Sequence, residues 1–180
     1  IDLLIFWIGF GIDGVFTVTV VLMWAEVSGP QTAMLVGASI LAIRRLSEMI
    51  LAPLFGQISD RFGNALPLTV MLILCAAGFF LIGTGVLFVG CVLLVFCRGA
   101  LGTLFPAAAS ALYPEQRILS LTRNQTWRDI GAAAGPFLTG FLLGFMSPGA
   151  IHLGTLGCFL IALGWLFLSG DCRRLLASGS

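Results

Sequence analysis

Near-continuous apolar runs, each long enough to cross a bilayer as a helix, constrain this chain more than any other feature. They cover residues 3–27, 32–55, 65–85, 87–112, 119–146 and 149–169. A helix crosses a hydrocarbon core in about 20 residues. The runs are separated by turn-formers: Ser28-Gly29-Pro30, Gly63-Asn64, Gly83-Thr84-Gly85, Tyr113-Pro114-Glu115 and Ser147-Pro148-Gly149. Hydrophobic residues make up 59% of the chain and charged residues 9%. A water-soluble domain carries roughly a quarter charged residues, so this chain has too little polar surface to cover a fold in water. The fold class expected is all-α and integral to a lipid bilayer, a bundle of six transmembrane helices in one domain spanning 1–180. The runs do not alternate in polarity, which argues against a membrane barrel.

Arginine placement orients the bundle. Every basic residue is Arg. The connections after runs two and four, the first residues of run five and the tail 171–180 hold Arg61, Arg117, Arg123, Arg173 and Arg174, and the other connections hold none. The positive-inside rule puts the Arg-bearing connections and both chain ends in the cytoplasm. Asn124-Gln125-Thr126 spells a glycosylation acceptor but falls on the wrong side. A net charge of +1 with no basic run suggests no nucleic-acid partner. Five cysteines without metal-ligand spacing read as small packing residues. No metal or cofactor is expected. The single His152 falls near the outer end of run six and reads as a structural interfacial residue. No Ser-His, His-Glu-x-x-His or paired-Asp constellation points to an enzyme.

The remaining charges lie where lipid would penalise them. Asp13 is in run one, Arg44, Arg45 and Glu48 in run two, Arg98 in run four, and Arg128 with Asp129 in run five. All fall near mid-run, and each costs about 2.5–3.5 kcal/mol on insertion scales unless it faces protein, water or a partner. Arg44 and Arg45 can pair with Glu48 at i,i+4 and i,i+3 on their own helix. Asp13 has no local partner, so its counter-charge must come from another helix or water. Such a carboxylate can exchange a proton. Arg98 can hold Asp13, Glu48 or an anionic substrate group. Runs three and six carry no formal charge. The chain thus divides into two triplets, about 1–85 and 86–170, each with two charged helices and then an apolar one. That is the pattern of an inverted repeat around a midplane cavity.

Between runs two and three lies Gly56-Gln57-Ile58-Ser59-Asp60-Arg61-Phe62-Gly63. This Gly-x-x-x-Asp-Arg-x-Gly loop resembles the signature of the major facilitator superfamily of transporters. It departs from the family after Gly63, where Asn64-Ala65 replaces the frequent basic residues. Arg98-Gly99-Ala100-Leu101-Gly102 is similar to the family's fourth-span motif, tied to proton coupling. Gly131-x-x-x-Gly135-Pro136-x-x-x-Gly140 resembles the antiporter motif of drug–proton exchangers, and reads equally as small-residue helix packing. The resemblance implies one six-helix half of a twelve-helix transporter in a prokaryotic inner membrane. The missing long loop after Asp171-Cys172-Arg173-Arg174 and the absent initial Met favour the C-terminal half, whereas the three motifs favour the N-terminal half. It implies alternating access, proton-coupled and possibly outward, with the complementary half on the same chain or another subunit. Asp13 would carry the proton or cation, with Arg44, Glu48, Arg98, Arg128 and Asp129 at the cavity. Gly56, Asp60, Arg61 and Gly63 would form a cytoplasmic gating loop. A six-helix membrane protein that binds a pigment, lipid or partner subunit without transport is the alternative.

Overall fold

The computed structural model describes residues 1–169. Arg173, Arg174, Cys172 and the expected tail 171–180 lie outside them. The described residues form six long helices and no strand. These are α1 (Asp2–Ser28), α2 (Pro30–Phe62), α3 (Ala65–Gly83), α4 (Leu87–Leu112), α5 (Arg117–Leu142) and α6 (Pro148–Leu168). Four of them, α1, α3, α4 and α6, are long and apolar enough to cross a membrane. The other two are long enough but carry more charge: Arg44, Arg45, Glu48, Asp60 and Arg61 on α2, and Arg117, Arg123, Arg128 and Asp129 on α5.

The turns sit where the breakers predict. Gly29, Gly63 and Gly85 have φ of 84°, 77° and 91°, a region that L residues with a Cβ avoid. Pro30 and Pro148 open their helices, where a missing N–H costs nothing. Ser147 caps α6, its Oγ accepting from the Ala150 N–H at 3.3 Å.

One boundary differs from the sequence expectation. Gly56 to Phe62 is not a loop, because α2 runs through it and ends only at Gly63. A single Gly weakens a helix by about 1 kcal/mol without ending it, and nothing else before Gly63 breaks the run. A side chain at Gly56 would meet no neighbour, so this glycine does not mark a close approach. Asp60 and Arg61 therefore stand on the last turn of α2, with Arg61 over the Phe62 ring at 5.4 Å.

Helices α1 and α4 are central. Helix α2 packs on α4 and α1, α5 on α1 and α4, α3 on α4, α6 on α1, and α3 on α6. The core between them holds Leu4, Ile8 and Ile12 of α1, Phe79 of α3, Leu101 and Leu104 of α4, and Phe159 of α6. The outer faces are apolar too: Met34, Met49, Phe137, Phe141, Ile161 and Leu168 are exposed. Four apolar helices with greasy outer faces fit a membrane-embedded protein.

Glycine sets the closest contact, between α1 and α5. A methyl on Gly14 would come within 2.6 Å of the Gly135 Cα, and one on Gly135 equally close to the Phe10 carbonyl oxygen. Gly9 and Gly131 likewise leave space only for backbone of the facing helix. Of the run-five motif, Gly131, Gly135 and Pro136 lie at this seam, whereas Gly140 faces open space.

Candidate functional site

The middle of α1 departs from α-helical winding. Gly9–Phe16 forms a π-helical stretch, wider per turn than its flanks. Such stretches occur in short pieces, often at functional positions. Three glycines here each face a neighbour that leaves no room for a Cβ: the α5 backbone at Gly9, the Phe79 ring at Gly11 and Gly135 at Gly14. The wide turn carries Asp13 at its centre.

Asp13 meets charges from two other helices. Its Oδ1 accepts from Arg44 Nη2 and from Arg98 Nε, the latter at 2.8 Å. Glu48 Oε1 accepts from Arg44 Nε at 3.4 Å and lies 3.8 Å from Arg98 Nε. Arg45 Nη1 donates to Glu48 Oε2 at 3.0 Å. Side chains of Asp13, Arg44 and Arg98 are only 10%, 10% and 7% exposed, Glu48 is 23% exposed, and Arg45 is at the rim at 77%. The centre is a buried ion cluster joining α1, α2 and α4.

The run-four motif explains how Arg98 gets there. A Cβ on Gly99 would lie 3.1 Å from the Ser47 carbonyl oxygen, so this glycine lets α4 lie against α2. A Cβ on Gly102 would sit 3.0 Å from Arg98 Nη1, so the second glycine makes room for the guanidinium itself.

Arg128 and Asp129 stay apart from this cluster. They pair with each other at 3.1 Å, and Gln125 Nε2 donates to Asp129 at 3.0 Å. Asp129 points outward, whereas Arg128 lines a small crevice that Arg98 also lines. Asp60 and Arg61 are far along α2 from Glu48, at its end.

His152 lies near the start of α6, as the sequence has it, and is fully buried, tilted against the Phe79 ring. Its Nε2 lies 2.7 Å from Thr19 Oγ1. The Thr19 hydroxyl gives its one proton to the Val15 carbonyl at 2.8 Å, so it accepts from Nε2–H. This assigns the tautomer and leaves Nδ1 without a partner among the described residues. The pairing of Thr19 with His152, 133 residues apart, was not read from the sequence. Thr19→Val would strand a buried N–H, and a loss of about 1–3 kcal/mol is expected. Thr19→Ser should keep most of the stability, and thermal unfolding in detergent distinguishes the two.

Cys75, Cys91, Cys97 and Cys158 are free thiols. No group of three potential metal ligands occurs among the described residues. The chain matches no protein-family model, no curated protein and no solved structure.

Proposed function

We propose that this chain is one six-helix half of a secondary transporter of the major facilitator type, moving a small molecule by alternating access with proton coupling. The observation that carries the reading is the buried Asp13–Arg44–Glu48–Arg98 cluster, held at mid-helix by α1, α2 and α4. Intramembrane charges are costly and mark ion or substrate paths by default. The helix pairings add support. Exchanging α1–α3 for α4–α6 converts the packing of α2 on α4 into that of α5 on α1, and α3 on α4 into α6 on α1. An inverted repeat has this property.

In the proposed cycle Asp13 is the proton carrier. Ionised, it ties Arg44 and Arg98 to α1. Protonated, it loses the charge that holds two guanidinium groups, and α2 and α4 are freed to shift against α1. Glu48 then takes a larger share of Arg44 and Arg98, limiting the cost of their stranded charge. Arg128 of α5 lines the crevice that Arg98 also lines. Asp60 and Arg61, at the end of α2, act at the cytoplasmic side against the complementary half. All six helices cross the membrane, with both ends inside.

The test uses the protein extracted from its native membrane with the helices bound to it. It is reconstituted in vesicles loaded with a pH-sensitive dye and challenged with a panel of amphipathic cations and small carboxylates. Substrate-dependent proton movement is expected in the parent protein and lost in Asp13→Asn at equal incorporation. Equal proton-driven uptake by Asp13→Asn would remove Asp13 from the mechanism.

A second reading has one observation in its favour. An apolar groove of about 450 Å³ runs between α2 and α4 under Trp24, lined by Ile40, Phe88 and Phe96. A non-transporting protein holding a pigment, lipid or partner helix would use such a groove, and would tolerate Asp13→Asn.

A further inference from the structure

Beside the ion cluster, α1, α4 and α5 enclose a crevice whose polar lining consists of Arg98, Asn124, Gln125 and Arg128, closed by Ile5 and Phe105. No carboxylate lines it. We infer that this crevice binds a small monovalent anion of the size of chloride.

Three observations carry the inference. Arg98 spends only Nε on carboxylates. Its Nη1 turns over Gly102, another residue of the crevice wall. A guanidinium offers five N–H donors, so Arg98 keeps donors beyond Nε for this space. Asn124 is 5% exposed, and its Nδ2 is a buried donor with no partner among the described residues. A buried unpaired donor costs about 1–3 kcal/mol, a cost that an acceptor in the crevice removes.

Charge points the same way. The three deepest ionised groups, Asp13, Arg44 and Arg98, sum to one positive charge. The next carboxylate, Glu48, is shared with Arg45. Asp129, 58% exposed, already takes Arg128 Nε and Nη2 and Gln125 Nε2, so Arg98 and Asn124 supply the unpaired donors and Arg128 adds its remaining N–H groups at the rim. An anion beside Arg98 and Asn124 compensates the buried surplus where the unpaired donors converge.

Size sets the class. The crevice offers about 20 Å³ to the centre of a water-sized sphere. Roughly 10–15 Å³ on that measure holds one water. A single halide ion fits; a phosphate, dicarboxylate or nucleotide does not. The site stands on this geometry and does not require transport.

The experiment is thermal unfolding of the purified protein in sodium chloride, sodium bromide and sodium gluconate at equal ionic strength. Binding to the folded state alone raises the midpoint with the logarithm of ligand concentration, roughly 3–5 °C per tenfold above Kd. Chloride and bromide are expected to do this and gluconate not. Asn124→Asp places a tethered carboxylate among the same donors, and should abolish the halide response. Arg128→Gln, at a position 30% exposed, should shift the response to at least tenfold higher chloride. Equal midpoints in chloride and gluconate would overturn the site, as would an unchanged halide response in both variants. Because the readout is binding, failure of the transport assay with Asp13→Asn leaves this result standing, and the reverse holds too.

Discussion

Asp13→Ala is expected to destabilise the protein by about 3–5 kcal/mol, the usual cost of removing one partner from a buried ionic group. The carboxylate lies between two guanidinium groups that are each about nine-tenths buried. Without it Arg44 and Arg98 repel each other, with Glu48 alone to serve both. The cost comes from the stranded charges rather than the lost contact. Neutralising Arg44 and Arg98 with Met in the Asp13→Leu background should therefore recover most of the stability. Unfolding in detergent of Asp13→Leu, of Arg44→Met with Arg98→Met, and of the three combined forms a cycle whose coupling should reach about 1–3 kcal/mol. Additive effects would show that the three groups do not act as a unit. Arg45→Gln serves as the reference, since its guanidinium is largely exposed and a surface pair is worth about 0–1 kcal/mol.

The second large effect is at the glycine seam. Gly135→Leu puts a side chain where its first carbon would lie 2.6 Å from both the Gly14 Cα and the Phe10 carbonyl oxygen. Both are main-chain atoms, so no rotamer change relieves the clash, and α5 must move off α1. Overpacking typically costs 1–3 kcal/mol, occasionally more, and with backbone on both sides a loss of about 3 kcal/mol or failure to fold is expected. Gly140→Leu on the same helix meets nothing within 4 Å and should change stability by less than about 0.5 kcal/mol. A Gly135 variant as stable as the Gly140 variant would mean that the seam does not hold α1 against α5. The consequence reaches the ion cluster, because Gly9 and Gly14 of the same seam flank Asp13 on its wide turn.

Most of the helix plan was legible in the chain. Apolar runs and Gly or Pro breakers act over a few residues, so turns at Gly29, Gly63, Gly85 and Ser147 could be read locally. The glycines of run five could be assigned to close packing as residue types, though the sequence could not distinguish the buried Gly131 and Gly135 from the open Gly140. Gly56–Gly63 spells a loop as a motif, yet α2 continues through it to Phe62. No residue between Gly56 and Phe62 stops a helix that is already propagating.

What the sequence determined by itself is that these helices carry ionised groups too deep to be left alone. Burial in lipid or protein makes an unpaired charge so costly that a partner is required, whatever the fold. Which partner was decided only by tertiary structure. Asp13 meets Arg44 across 31 residues and Arg98 across 85, and Thr19 meets His152 across 133. Those pairings depend on how each helix is rotated about its axis. Rotation is set by the π-helical turn in α1 and by the glycine contacts that lock α1 to α5 and α4 to α2. Asp129 shows the same dependence in reverse. Its depth in the sequence is that of Asp13, but the face of α5 that carries it turns outward, because Gly131 and Gly135 claim the face toward α1.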